Sequence, residues 1–306
     1  MSVQQPVVAI VGAGAVGRVL GRSLRAVGYP IAAVISRNPA SSRELAAQVE
    51  APVASAALED LPGEVRLVFC CVPDDALPGL AEQLALVPHD WPRTVVAHTS
   101  GALPARVLEP VGRRGALLLS FHPVQSFPRQ GPPPSLAGVA IGLEGDSEAV
   151  ALGREVARAL GARPIELSPE TKPRYHLAAV LASNGLGALM AMAGEVLASI
   201  GLSRPEAHAM LLPLVQGTLH NLEQLLPEEA LTGPAVRGDL GPITQHLETL
   251  QQHLPHLLPV YAALTTEMIR VGVRSGRLAP ERATALLDRL QEALDTRSDI
   301  PPERLP

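Results

Sequence analysis

Residues 6–37, PVVAIVGAGAVGRVLGRSLRAVGYPIAAVISR, constrain this chain more than any other stretch. An apolar run at 7–11 ends directly on Gly12-Ala13-Gly14-Ala15-Val16-Gly17. The apolar spacing then turns helical from 15 to 27, Gly28 closes that helix, and 31–35 form a second apolar run. This order spells strand, glycine turn, helix, strand, a β-α-β unit of about 30 residues. The glycines have separate tasks. Gly12 makes the tight turn, Gly14 lets the backbone approach a pyrophosphate, and Gly17 lets the helix pack close to the strand. The first free N–H groups of the helix, around Ala15 and Val16, and its dipole then face the phosphates.

The end of the second strand selects the dinucleotide. An NAD-binding unit carries Asp or Glu there, to accept from the ribose hydroxyl. Here the position is Ser36, followed by Arg37 and Asn38. A neutral hydroxyl beside a guanidinium suits a 2′-phosphate, which a carboxylate would repel, so NADP is expected ahead of NAD. The plainer reading, Arg37 as a solvated loop residue, stays open. Val72 and Pro73, at the end of the apolar run 66–72, complete the expected cofactor wall.

With 306 residues, 47% of them apolar, the chain is long enough for two domains and a substantial core. A net charge of −5 and 2% aromatics, with no basic run, argue against nucleic-acid binding. Nine histidines show neither H-E-x-x-H nor C-x-x-C spacing, so no metal is expected. No uninterrupted apolar run reaches membrane-spanning length and no charged-then-apolar leader precedes the first strand, so no membrane partner and no secretion are expected. Cys70 and Cys71 are adjacent within an apolar strand and point to opposite faces, which suits buried thiols in a reducing cytoplasm.

Alternating buried strands (66–72, 94–97, 116–121, 139–143, 163–167) and helices (40–49, 76–86, 147–160) predict an α/β fold, a doubly wound Rossmann-type sheet that is largely parallel. A proline-rich loop at 126–134 is expected to lie over a cleft. Beyond 168 strand signals stop, and helical patterns cover 173–200, 204–226, 242–253, 259–276 and 279–294. The reading is therefore a dinucleotide-binding domain over 1–168 and an all-α domain over 169–306, for substrate binding and dimerisation. Its charged, proline-rich tail from Asp295 is expected to fray.

Ligands of open α/β sheets sit beyond the carboxyl ends of the strands. That rule puts His98, Ser100 and His122, each just past a strand end, on the active-site rim. Of the 25 basic residues 24 are Arg, and Lys172 is the lone Lys. Burial can bring a lysine pKa, but not an arginine pKa, into a useful range. Lys172, His176 and Ser183 share one stripe of the helix that begins T-K-P-R-Y-H, with Asn184 on its shoulder. Such a polar stripe is expensive to bury unpaired and favours a ligand-lined cleft. A turn-rich segment, T-G-P-A-V-R-G-D from Thr232, offers Arg237 to fork onto a carboxylate and Asp239 to orient it. A simple Arg237–Asp239 pair is equally open.

Taken together, G-A-G-A-V-G, His98-x-Ser100-Gly101, His122-Pro123, K-x-x-Y-H-x-A-A-V-x-A-S-N from Lys172 to Asn184 and T-G-P-x-x-R-G-D from Thr232 to Asp239 resemble a bacterial family of Rossmann-like oxidoreductases. Its helical carboxyl-terminal domain was long of unknown function. The wider superfamily includes ketopantoate reductase, pyrroline-5-carboxylate reductase and the β-hydroxyacid dehydrogenases. The resemblance implies an NADPH-dependent reductase of a small 2-oxo carboxylate. Lys172 is then the proton donor, His176 and Asn184 orient the reacting oxygen, Ser100 and His98 sit near the nicotinamide, and Arg237 anchors the carboxylate. In those enzymes an Asn stands four residues after the Lys; here that position is His176. The resemblance also implies a homodimer. Reduction of a cyclic imine through Thr232 and Thr244, oxidation of a prephenate-like substrate, and NADP sensing without turnover are the alternatives.

Overall fold

The computed structural model describes residues 5–128 and 131–296. The chain forms two compact units, 1–184 and 185–306.

The first unit runs β1 (Val8–Val11), α1 (Ala15–Ala26), β2 (Ile31–Ile35), α2 (Pro39–Val49), β3 (Val53–Ser55), β4 (Leu67–Cys70), α3 (Leu77–Leu86), β5 (Val95–His98), the one-turn α4 (Glu109–Gly112), β6 (Leu117–Pro123), β7 (Ala140–Gly145), α5 (Ser147–Ala159), β8 (Arg163–Glu166) and α6 (Lys172–Ala182). The strands form one sheet in the order β3-β2-β1-β4-β5-β6-β7-β8. The chain builds outward from β1 to β3 and then crosses to β4, so the strand order reverses between β1 and β4, where such sheets bind ligands. Neighbouring strands are parallel except β6 and β7. The described part of the 124–139 connection holds no helix to carry a crossover, and the strand comes back antiparallel.

Successive strand residues serve opposite cores, which is what near-continuous apolar strands require of a sheet covered on both faces. Val8, Ile10, Leu67 and Phe69 pack with Leu20 and Leu24 of α1 and Leu45 of α2. Ala9, Val11, Val68 and Cys70 pack with Leu77, Ala81 and Leu84 of α3. Cys71 falls on the first face and Cys70 on the second, both as buried free thiols. Asn38 starts α2 by accepting from the N–H of Ala40 at 3.0 Å, with Pro39 at the first helical position.

Three features differ from the sequence reading. β3 was not foreseen, because a three-residue, half-exposed edge strand carries no alternation to read. The long helix expected over 173–200 breaks at Ser183, whose φ of −108° and ψ of −67° depart from regular helix geometry, before α7 (Asn184–Ala198) begins. The compact units divide at 184 rather than 168, because α6 is tied to the sheet by hydrogen bonds from Lys172 and Tyr175 to β6 residues. The helical stretch 172–198 is long and apolar enough, by length and composition alone, to cross a membrane, though charged and polar residues interrupt it. Those same ties of its first turns to β6 argue against that use.

In the second unit α7 is followed by α8 (Arg204–Gln224), the short α9 (Pro227–Ala230) and α10 (Pro234–Arg237), α11 (Leu240–His253), α12 (Leu258–Arg274) and α13 (Pro280–Asp295). Ile243, Leu247, Leu258, Ile269, Leu286 and Leu290 from α11, α12 and α13 make its core. α7 and α8 contribute little: α7 buries no residue fully and α8 only Ala207. The tail expected to fray lies mostly beyond 296, outside the described residues.

Phe121 of β6 is fully buried and meets Phe69 edge-on, with ring centroids 5.2 Å apart. Phe121→Ala should cost about 3–5 kcal/mol of stability, as large-to-small aromatic changes do in close-packed cores. The loss is measured by urea unfolding.

Candidate active site

The turn after β1 is shaped by backbone contact. Gly12 has φ of +105°, and a Cβ there would lie 2.4 Å from the Cys71 carbonyl oxygen. A Cβ on Gly17 would lie 1.9 Å from the carbonyl oxygen of Gly12, so α1 can start this close to the turn only without a side chain. Gly14, by contrast, faces open space. α1 has no side-chain cap and no acidic residue in its first turn, which leaves its N–H groups available to an anion. A cavity of about 410 Å³ adjoins this turn, lined among others by Gly12, Gly14, Ser36, Arg37, Val72 and Pro73. Ala15, Val16 and Gly17 stand at the start of α1 outside that lining. Asn38 is also outside it, with its side-chain oxygen committed to capping α2.

A second polar centre forms where β5, β6, β7 and α6 meet. His98 pairs in register with Ser120, and Ser120 with Glu144, so three buried polar residues line up across neighbouring strands. Lys172 enters this row from the first turn of α6. Its ammonium donates to the Ser100 carbonyl at 3.2 Å and to the Ser120 hydroxyl, and the residue is 0% exposed. Burial pushes its pKa down to about 8, against the opposing pull of Glu144 and Asp74. Glu144 accepts from the Ala105 N–H at 2.7 Å.

The depth of these side chains differs from the sequence reading. Lys172 is enclosed, and its ammonium is held by the Ser100 carbonyl and the Ser120 hydroxyl. His98 is likewise 0% exposed and accepts from the Ser100 N–H at 3.1 Å instead of standing on a rim. Ser100 is buried, and its hydroxyl accepts from the N–H groups of Ala102 and Leu103 at 3.2 and 3.0 Å, which makes it a turn former.

The half-exposed groups are the imidazoles of His122 and His176, whose ring centroids lie 6.0 Å apart. Both line a pocket of about 520 Å³, together with Gln125, Ser126, Ser183 and Asn184. Gln125, Ser126 and Phe127 bring the start of the expected proline-rich loop onto this pocket; 129 and 130 lie outside the described residues. Tyr175, Gly101, Ser120 and Glu144 join the site without being among the residues expected from the sequence. Tyr175 and Gly101 did stand within the quoted motifs, and Glu144, a carboxylate just past an apolar run, was a readable signal. Tyr175 donates to the His122 carbonyl at 3.1 Å and lies 3.1 Å from His122 Nδ1.

In the second unit Arg237 Nε is held by Asp239 at 2.8 Å, so the plain ion pair is formed. Thr232 is exposed and Thr244 half-exposed. No group of three or more His, Cys, Asp or Glu side chains suited to a metal ion occurs among the described residues.

Two family models match. Residues 2–123 match a Rossmann-like domain, and residues 139–268 match DUF2520, a domain of unknown function. The chain joins a Rossmann-like domain to a DUF2520 domain. Among solved structures, it is similar to BF3122 from Bacteroides fragilis, a candidate NADP oxidoreductase, at 27% identity and a TM-score of 0.73, over 87% of this chain and 98% of that one. It is similar to TM1727 from Thermotoga maritima at 26% identity and a TM-score of 0.70, over 89% and 100%. A reductive aminase from Aspergillus terreus, solved with NADPH and ethyl-5-oxohexanoate, shares the fold at 18% identity and a TM-score of 0.57, over 96% and 95%. No curated protein sequence matches the chain.

The buried His98 and the half-exposed His122 make stability depend on pH. Burial first, and then the Lys172 charge, push His98 down to about 3 and His122 down to about 4 from 6.5. The unfolded chain therefore takes up protons first as the pH falls, so this contribution is whole above about 6.5 and is lost on descending through 4 and 3. Each pH unit in that window should remove at most about 1.4 kcal/mol per histidine. Urea midpoints at pH 7 and pH 5 should differ accordingly, and His98→Gln should flatten the dependence.

Proposed function

We propose that this chain is an NADP-dependent oxidoreductase that reduces a small carbonyl compound held beside His122 and His176. The observation that carries the reading is the glycine turn at the β1/β4 reversal, opening on a cavity that ends at Ser36 and Arg37 with no carboxylate. The residues present fit the dinucleotide. Backbone N–H groups of Gly12 to Gly17 would meet the pyrophosphate, Ser36 and Arg37 the 2′-phosphate, and Val72 and Pro73 would form an apolar wall. When bound, NADPH supplies a hydride to the substrate carbon. The protein has to hold that carbon at the strand ends and provide one proton to its oxygen. The pocket offers amide and hydroxyl groups from Gln125, Ser126, Ser183 and Asn184 to orient a polar substrate.

Within that class a 2-oxo carboxylate is the first substrate expected. A cyclic imine is the second, because it makes the same demand for one hydride and one proton. A cytoplasmic setting suits the two free thiols. A homodimer would cover Leu189 and Val196 of α7 and Met210, Leu214, Leu219 and Leu222 of α8, all exposed.

Protein fluorescence titrations should give tighter binding of NADPH than NADH. Arg37→Asp should weaken NADPH about ten- to a hundredfold, the worth of a charge-assisted bond to phosphate, while NADH changes little. Equal affinities for the two dinucleotides in the unaltered protein would count against the assignment. NADPH oxidation with a panel of 2-oxo acids and 1-pyrrolines then separates the substrate classes, and binding without turnover on any of them indicates a sensor. Leu214→Glu should shift the protein from dimer to monomer in sedimentation velocity.

A further inference from the structure

Three titratable groups, Lys172, His122 and His176, meet around the Ser100–Gly101 turn. A Cβ on Gly101 would lie 2.4 Å from His176 Cδ2 and 2.7 Å from His122 Nε2. The bare backbone of this turn is therefore pressed against both imidazoles, and a side chain there would have to push one or both rings aside. The turn is held from below by Lys172, through the Ser100 carbonyl, and the same ammonium is tied to β6 through Ser120.

We infer that His176 is the group that gives its proton to the substrate oxygen, and that Lys172 is a positioning residue that fixes the Ser100–Gly101 turn between the two histidines. This rests on the reductase reading above. The lysine is enclosed, with two of its three hydrogens committed to Ser100 and Ser120. His122 is an acceptor and not a donor toward the pocket. Tyr175 gives its hydroxyl hydrogen to the His122 carbonyl, so the phenol oxygen accepts from Nδ1–H, and Nε2 is left with a lone pair. Burial and the Lys172 charge, pushing His122 down to about 4, keep that ring neutral at pH 7. His176 is the remaining titratable side chain lining the pocket. The titratable groups around it are Lys172 and Tyr175 on its own helix and His122 on β6. Glu144, Asp74 and His98 act on Lys172 or receive its field.

The step balances. The substrate carbon gains the hydride and its electron pair, the C=O π pair moves to oxygen, and the new O–H bond takes its hydrogen from an N–H bond of the His176 imidazolium. Neutral imidazole remains, and water in the open pocket returns the proton.

The test uses the full chain with NADPH and the best substrate of the panel, comparing pH profiles of kcat. His176→Gln should lower kcat by roughly 10² to 10⁴, the usual range for a general acid, and abolish the fall of kcat at high pH. Lys172→Met should lower kcat less and keep that fall, because the acid is still present; NADPH affinity should stay within about twofold in both. A fall near pH 8 that vanishes in Lys172→Met and persists in His176→Gln would overturn the inference. A second arm needs no turnover. Because Lys172 is the lone lysine, trinitrobenzenesulfonate labelling of the native protein, read by mass spectrometry on its peptide, reports this amine alone. Lys172 should remain unlabelled until the protein is denatured, whereas diethyl pyrocarbonate should modify His176 in the native state. Ready labelling of Lys172 with a protected His176 would overturn the inference. If no panel member is reduced, the substrate reading fails while the labelling arm still decides which group meets solvent.

Discussion

An ammonium group taken out of water has to find hydrogen-bond acceptors or lose its charge, and Lys172 finds two at the ends of neighbouring strands. Much of the site's geometry follows from that requirement. To reach Ser120 and the Ser100 carbonyl, α6 must lie against the carboxyl end of the sheet, and this brings Tyr175 onto β6 and His176 over Gly101. The field of the ammonium then adds to burial in holding His98 and His122 neutral. One buried cation thus acts as anchor for a helix and as a constraint on the protonation of its neighbours.

The glycine turn works by a different logic. Gly12 and Gly17 are required by contacts within the fold, since a side chain at either would strike backbone. Gly14 meets nothing, and its bareness makes sense only toward something that approaches from outside. The unit's tight packing is therefore concentrated at two positions of the motif and its receptivity at the third. The N–H groups at the start of α1, uncapped and without neighbouring carboxylates, belong to the receptive part.

Much of the α/β architecture was legible in the sequence, because parallel strands buried on both faces read as short apolar runs ending on turn residues. The runs at 31–35 and 116–121 correspond to β2 and β6 within a residue or two. What escaped was what periodicity does not encode. β3 is too short and too exposed for a pattern, and the break at Ser183 lies inside an apolar segment with no proline to announce it. Spacing put Lys172 and His176 on one helical face, which the structure keeps, but spacing carries no information on depth. One residue is sealed and the other is half-exposed. Depth also separates His98 and Ser100 from the rim they were expected to line. The register that aligns His98, Ser120 and Glu144 depends on pairing between strands far apart in the chain, including an antiparallel return that apolar runs alone do not reveal.

The division of the chain at 184 has an evolutionary corollary. The glycine turn, both imidazoles, the buried amine and the tyrosine that sets one ring's tautomer all belong to the first unit. Descendants of such a protein could therefore diversify the helical half while the glycine turn, the buried amine and both imidazoles of the first unit stay intact.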